Sequence, residues 1–572
     1  MTLSQWFIFF LIVQVVHFLA TWKLYIKAGR QAWEAAVPIY NAVILMKIIN
    51  RPWWWVILLF VPVINIIMIP IIWVETIRSF GRNTLQDTIL VLVTLGFYIF
   101  YVNYALDVTY IEDRSLKPRS GAGEWTSSIL FAVVAATVVH TYFMQPYTIP
   151  TGSLEKTLLV GDFLFVSKFH YGARIPMTTV SLPMVHDSIP LTKKKSYFKK
   201  PQLPYMRIPG LQDIKRNDIV VFSWPADTVV QFFKKSKGVI KPIDKKSNYV
   251  KRCVGIPGDQ LSVVNGYVHI NGERTVLPER AKPLFRHLVT LKGKLSQSTL
   301  DIFGPKYYDP RPVYKVPNEI MIKERTPELI EKRAPYLKFI KKDNSYNYFT
   351  GGIGNQQVAN YLKITPVENM AIFNLTEQEA ISYKDHPKIL NAERYIIKEK
   401  GTETFPQSTN YEGNVDNFGP VTIPKKDTTI KLTVENLPLY KRLIEVYEGR
   451  EIGVLNKLTT NGTQVLLNGE PIDQYTFLQD YYWMMGDNRH NSEDSRIWGF
   501  VPFNHVVGKP VFVFFSKDAN GKGLNWIRWD RMFTTVGGNG EPKSYLLYFL
   551  IALVGYIGFS YVRKRKKANQ DH

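Results

Sequence analysis

At 572 residues the chain is too long for a single hydrophobic core, so two or more structural units are expected. Hydrophobic residues make up 46% and aromatics 14%, yet the mean hydropathy is close to zero, so strongly apolar segments must alternate with strongly polar ones. The formal charge of +23 fits an anionic membrane surface or nucleic acid, while the single Cys253 excludes an intrachain disulfide and a cysteine-rich metal site and leaves the compartment open.

Four apolar stretches come first in the chain: Trp6 to Tyr25, Trp53 to Val74, Thr88 to Leu106 and Ser127 to Met144. A fifth, Tyr545 to Val562, runs into "RKRKK". Each approaches the ~20 residues that cross a ~30 Å hydrocarbon core as a helix. They favour the membrane over nucleic acid. The first lacks a basic leader and a small-residue cleavage signal, so it reads as an anchor. The second contains "VPVINIIMIP", where Pro62, Asn65 and Pro70 make a kinked or re-entrant path an alternative to a straight span. Arg563 to Lys567, and Arg114, Lys117 and Arg119, are expected on the cytoplasmic side. Spans four and five then bracket about 400 residues on the far side.

That outer region is expected to be mainly β. "DIVVFSW", "LSVVNGYVHING", "TTIKLTVE", "TQVLLNGEPI" and "KPVFVFFS" are β-branched or aromatic runs closed by Gly, Asn or Pro. Asn265-Gly266 and Asn271-Gly272 bracket an expected hairpin. Between about Thr275 and Asp427 the rhythm breaks, and "TPELIEK" (a Thr326 cap with Pro327 behind it) and "TEQE" (a capping box from Thr376 to Glu379) predict helices in an inserted mixed subregion. "GGIGNQ" and "VGGNGEPK" lack the strand-to-helix context of a phosphate loop and read as turns.

A serine becomes a useful nucleophile only when a base takes its proton. His140, His170, His186, His269, His287, His386, His490 and His505 show no metal or triad spacing, so a Ser/His/Asp triad has no support in the sequence. The other recurring base is a lysine kept neutral by apolar burial. "NYVKRCVGIPGD" offers Lys251, which alternation places on one strand face with Tyr249 and Cys253, opposite Val250 and Arg252. Periodicity alone favours a solvated edge lysine, because most lysines beside an arginine on a strand are edge charges.

"IPTGSLEKTLLVGD", "RNDIVVFSWP", "YVKRCVGIPGD" and "GDNRHNSEDSRIWGFVP" follow one another in this order. Together they resemble the characteristic boxes of the type I signal peptidases, membrane-bound Ser/Lys proteases that remove signal peptides. The likeness covers roughly Gln145 to Asp259 and Asp473 to Ser516. It implies Ser153 as nucleophile, Lys251 as general base, and an oxyanion hole made of the Ser153 backbone N–H and the Thr151 hydroxyl. It further implies that Ser492 aligns the lysine, that Asp487, Asp494 and Arg496 brace the site, and that Ile149 and Val250 line shallow pockets for an A-x-A-like substrate, where ordinary strand core is the competing reading. Three positions depart from the family pattern: Leu154 for methionine, Lys156 for proline and His490 for aspartate. Lys156 is expected to loosen the nucleophile turn, and His490 to lose or replace an acidic contact.

The expected architecture is thus a mainly β catalytic domain of signal peptidase type with an inserted mixed α/β subregion, anchored by N-terminal and C-terminal transmembrane helices. The expected divisions are 1–125 (about three spans), 126–146 (the span leading into the catalytic domain), 147–274, 275–427 (the insertion), 428–543 and 544–572. The resemblance implies a bacterial inner-membrane, multi-pass enzyme with its catalytic domain outside, no cofactor or metal, and preprotein signal peptides as partners. Membrane lipid and the secretion translocon are further expected partners, and nucleic acid is not. The basic stretch Leu191 to Gly210 interleaves Lys193 to Lys195, Lys199 and Lys200 with Tyr197, Phe198 and Tyr205, a pattern that suits single-stranded nucleic acid but is assigned to lipid head groups, with a solvated loop as the competing reading. A catalytically silent scaffold that binds signal peptides or translocon components is the alternative function.

Overall fold

The computed structural model describes residues 2–118, 120–226, 239–303, 310–320, 334 and 336–568. Arg119, Thr326 and Pro327 lie outside the described residues.

Among the described residues, three helices are long and apolar enough to cross a bilayer: α1 (Leu3–Lys27), the span Gly121–Phe143, which comprises α2 (Gly121–Val138) and a wider terminal turn, and Leu546–Arg563 within α4 (Leu546–Ala568). The expected second and third spans are not continuous helices. Trp53 to Val74 is broken between Trp55–Leu59 and Asn65–Ser79, around Pro62 and a left-handed Val63. Pro70, by contrast, lies inside the second of these helices. Thr88 to Leu106 folds into Leu85–Val93 and Tyr98–Tyr104, bent by 118°. Gly96 makes that bend at a φ of +88°, where a Cβ would fall 2.6 Å from the Trp73 ring. These pieces pack with α1 around Ile44, Met46, Ile77, Phe80 and Val102. Apolar length predicted continuous spans there; the helices break around Pro62 and Gly96.

The region between the last two long apolar helices is mainly β, as expected. An eight-stranded antiparallel sheet runs in the order β1 (Met144–Thr148), β2 (Asp162–Ser167), β7 (Val506–Ser516), β3 (Ile219–Ser223), β4 (Asn248–Gly255), β5 (Tyr481–Met485) and β6 (Val501–Pro502), with β8 (Thr534–Thr535) beside β7. Alternation along β3 divides its side chains between two cores. Ile219 and Val221 join Leu164, Val166 and Val513, while Val220 and Phe222 join Cys253, Met484 and Trp498. The hairpin Gln260–Val264 to Tyr267–Ile270 turns at Asn265 and Gly266, both at positive φ, which is the geometry that an Asn-Gly pair favours.

Six further strands between Phe285 and Arg394 form a separate antiparallel sheet. Helix α3 (Glu377–Lys384) packs on its edge strand Ile389–Arg394, and Thr376 caps it with the reciprocal bonds predicted from "TEQE".

Candidate active site

The chain leaves Phe143 directly into β1, so the site begins where an apolar helix ends. Beyond β1, Ile149 donates its N–H to the Asp162 carbonyl and accepts from Gly161, closing the loop between them at its stem. Within that loop Thr151 is extended and exposed, and Gly152–Leu154 makes one tight turn carrying Ser153. Leu154 and Leu158 plug the loop into the core beside Ile149 and Val166.

Lys251 lies in the middle of β4, opposite Val220 of β3. It is 3% exposed, and its Nζ donates to Ser153 Oγ at 2.6 Å across 98 residues of sequence. Burial pushes the amine down to about 8, while the Asp494, Glu493 and Asp487 carboxylates oppose the shift and Arg496 adds to it. The ammonium also sits 5.7 Å from the Tyr249 ring, on the face that alternation assigned.

Two fully buried ion pairs stand behind these residues. Arg252, next to the lysine in sequence but pointing the other way, donates to both oxygens of Asp487 at 2.7 and 2.6 Å. Thr157 Oγ1 donates to the same carboxylate at 2.6 Å, which ties Asp487 to the nucleophile loop. Arg496 forks onto Asp494 at 2.9 and 2.8 Å, and Asp494 also accepts from the Gly486 N–H at 3.1 Å. Burial alone would raise both carboxyls, but their arginines outweigh it and hold them below the ordinary range. Asn488 completes the support, donating its backbone N–H to the Ser153 carbonyl and its amide to the Gly152 carbonyl.

Ser153 and Lys251 are therefore brought together, with Asp487, Asp494 and Arg496 close behind them. Ser492 is placed beside Gly486 under the turn, but its Oγ is buried and has no hydrogen-bond partner among the described residues, so the expected bond to Lys251 is not formed here. Ile149 is buried and Val250 half-buried in one apolar cluster with Leu154, so both are first of all strand core.

The two polar departures find partners. Lys156, at a φ of +70° that proline cannot adopt, pairs with Glu379. His490 donates from Nε2 to Asp416 at 2.9 Å and accepts the Arg286 N–H at Nδ1. Burial lowers its pKa to about 4, so the imidazole is neutral and holds this tautomer. The turn is thus fastened rather than loosened at Lys156, and a carboxylate from elsewhere replaces the one missing at 490.

Sequence reasoning missed Arg252, Thr157, Asn488, Glu379 and Asp416. Arg252, Thr157 and Asn488 stand inside the quoted boxes, and the missing signals were the burial of Arg252 and Asn488 and the contact of Thr157 with Asp487. Glu379 was legible only as a helix cap. Glu155, buried beside Gly152, was passed over as well, and burial raises its carboxyl to about 7. A cavity of about 150 Å³ lined by His140, Tyr147, Lys168, Arg174 and Asn248 does not reach Ser153 or Lys251. Among the described residues no cluster of His, Cys, Asp or Glu could hold a metal ion.

Comparison with known proteins bears on this arrangement. The family model described as "Signal peptidase, peptidase S26" matches residues 122–297 and 423–515, leaving 298–422 between them unmatched. A second, a "family of unknown function (DUF5684)", matches residues 33–113. Similar proteins include the "Signal peptidase I" of Rickettsia massiliae (30% identical, over 28% of this chain and 47% of that one). Those of Helicobacter pylori (24%, over 72% and 92%) and Buchnera aphidicola (24%, over 68% and 73%) match over longer stretches. The chain spans about half the length of the first Rickettsia relatives that it matches.

Proposed function

Given that this chain belongs to the signal peptidase (peptidase S26) family, we propose that it is a type I signal peptidase, a membrane-anchored serine endopeptidase that cleaves signal peptides from preproteins with a Ser153/Lys251 dyad. The 2.6 Å contact between a tightly turned serine and a buried lysine whose pKa lies near neutrality carries this reading. Once the amine is neutral, Ser153 donates to Lys251 Nζ, and Oγ attacks the scissile carbonyl carbon as Lys251 takes the proton. The oxyanion is met by the Ser153 N–H and the Thr151 hydroxyl. Collapse breaks the C–N bond, the lysine ammonium protonates the leaving amine, water attacks the acyl-enzyme with Lys251 again as base, and a second collapse breaks the ester C–O bond as the ammonium returns the proton to Ser153 Oγ. Asp487, Asp494 and Arg496 hold the lysine strand and the serine turn in register. Ser492 is assigned to align the amine when substrate displaces the resting contact, and Ile149 and Val250 to face the small side chains of the substrate.

An outward-facing catalytic domain is supported by the path of the chain. The positively charged Arg114 and Lys117 precede the span Gly121–Phe143, and Ser153 follows it. At the other end of α1, Trp6 Nε1 donates to the Gln202 carbonyl, so the start of the chain meets the outer domain. Gln202 belongs to the stretch Leu191 to Gly210, where exposed Leu191 and Phe198 accompany Lys193 to Lys195 and exposed Leu211 follows directly, a composition suited to dipping into a lipid surface. Anchoring enzyme and preprotein to one bilayer raises their effective concentration.

The test is cleavage of an Ala-x-Ala peptide by detergent-solubilised protein, with Ser153→Ala and Lys251→Ala as controls. Lys251 faces Tyr249, Glu493, Asp494, Asp487 and Arg496, and its net shift is downward. The base is therefore active above its pKa, and kcat/KM is expected to rise with pH to a plateau with a limb near 8. Both variants should be silent. A parent that binds the peptide without cutting it would favour the silent scaffold.

A further inference from the structure

Both polar departures from the family pattern meet acidic residues of the segment between the two family-matched blocks. Glu379 lies at the third position of α3, where one carboxylate oxygen is fixed by the capping box, accepting from Thr376 N and Oγ1 at 3.0 Å each. That leaves the other oxygen aimed outward, and it holds Lys156, three residues beyond Ser153. Asp416 is held by the Ile397 N–H at 2.9 Å and takes His490, three residues beyond Asp487. An aspartate at 490 would set two carboxylates against each other, whereas a neutral histidine fits between Asp416 and the Arg286 N–H. The backbones are joined as well. Phe405 of that segment donates its N–H to the Arg496 carbonyl, while at the end of the first matched block Lys282 N–H donates to Thr157 Oγ1 and Leu284 donates to the Asp487 carbonyl and accepts from Arg489.

We infer that the inserted region is part of the catalytic device: Glu379 and Asp416 are positioning residues that fix, through Lys156 and His490, the nucleophile turn and the loop that carries Asp487. The left-handed Lys156 backbone explains the geometry. A turn released from the proline of the family pattern needs an external anchor, and the capped carboxylate of α3 supplies one whose own orientation is already set. The inference rests on the reading of Ser153 as nucleophile for its catalytic consequence, but not for the physical contact.

Glu379→Gln tests it, because glutamine keeps an acceptor for the cap and removes the charge facing Lys156. In the full-length protein we expect faster amide exchange confined to the peptide around residues 151–159, by about fivefold. With the Ala-x-Ala peptide we expect kcat to fall about tenfold, with KM within about twofold of the parent. Lys156→Gln should match it, the double variant should be no worse than either single, and Lys156→Arg should restore parental values. Asp416→Asn should lower kcat in the same way. Parental kcat and exchange in Glu379→Gln and Lys156→Gln, or equal losses with Lys156→Arg, would overturn the inference. The exchange arm needs no substrate. A parent whose activity survives Ser153→Ala would sink the assigned chemistry while leaving the positioning contact to be judged by exchange alone.

Discussion

Lys251, in β4, and Asp487, in the loop that follows β5, are buried groups of opposite sign, and their electrostatic situations differ. Lys251 has no carboxylate in contact and responds by losing affinity for its proton. Asp487 has Arg252 in a two-pronged contact and keeps its charge. Removing one side of such a buried pair leaves the other uncompensated, so Asp487→Asn is expected to cost about 3–5 kcal/mol of stability. The sign with pH follows from the lowered carboxyl. A group whose folded pKa is depressed contributes fully above its unfolded value of about 3.9 and loses that contribution as the pH falls through the folded value. Denaturant melts should therefore show a gap between parent and Asp487→Asn that is constant near neutral pH and closes below about pH 4. A gap that persists unchanged into acid would mean that packing, not charge, sets the cost.

At the scale of elements, the site is two loops pressed together. The strand β5 runs into Gly486 and the Asp487 loop, and that loop passes directly under the turn of Ser153. A Cβ at Gly486 would fall 2.5 Å from the Ser153 carbonyl oxygen and 2.3 Å from Ser492 Oγ. The first of these is backbone and cannot rotate away, so Gly486→Ala must move the turn. A displacement approaching 1 Å at a reacting group costs about a hundredfold in rate. We expect a loss of that size in kcat, with the chain still folded by circular dichroism. Unchanged kcat would show that the turn can shift without losing its alignment to Lys251.

For the whole molecule, the distribution of charge and apolar surface predicts which parts share a side of the membrane. The only thiol, Cys253, is buried and its pKa is raised by burial, so single cysteines can be introduced on a silent background. Asp113 precedes the span Gly121–Phe143 and Leu191 follows it in the β domain, and both are exposed. In cells, Leu191→Cys is expected to react with a membrane-impermeant maleimide, and Asp113→Cys only after permeabilisation. The reverse pattern would invert the proposed topology.

The sequence by itself determined the chemistry-bearing boxes, the β character of the outer region and the three long apolar helices, because each is written in short-range order: an Asn-Gly turn, a run of β-branched residues, a length of unbroken apolar chain. It also carried the capping box at Thr376 and the residues at which the chain departs from the family pattern. What only the tertiary structure decided is what those residues meet. The break at Gly96 depends on Trp73, the neutrality of His490 on Asp416, and the anchoring of Lys156 on Glu379, each a contact between segments far apart in sequence. Burial is likewise a property of the folded chain, and it is burial that separates Lys251 from a solvated lysine and makes Arg252 a partner of Asp487 rather than an edge charge.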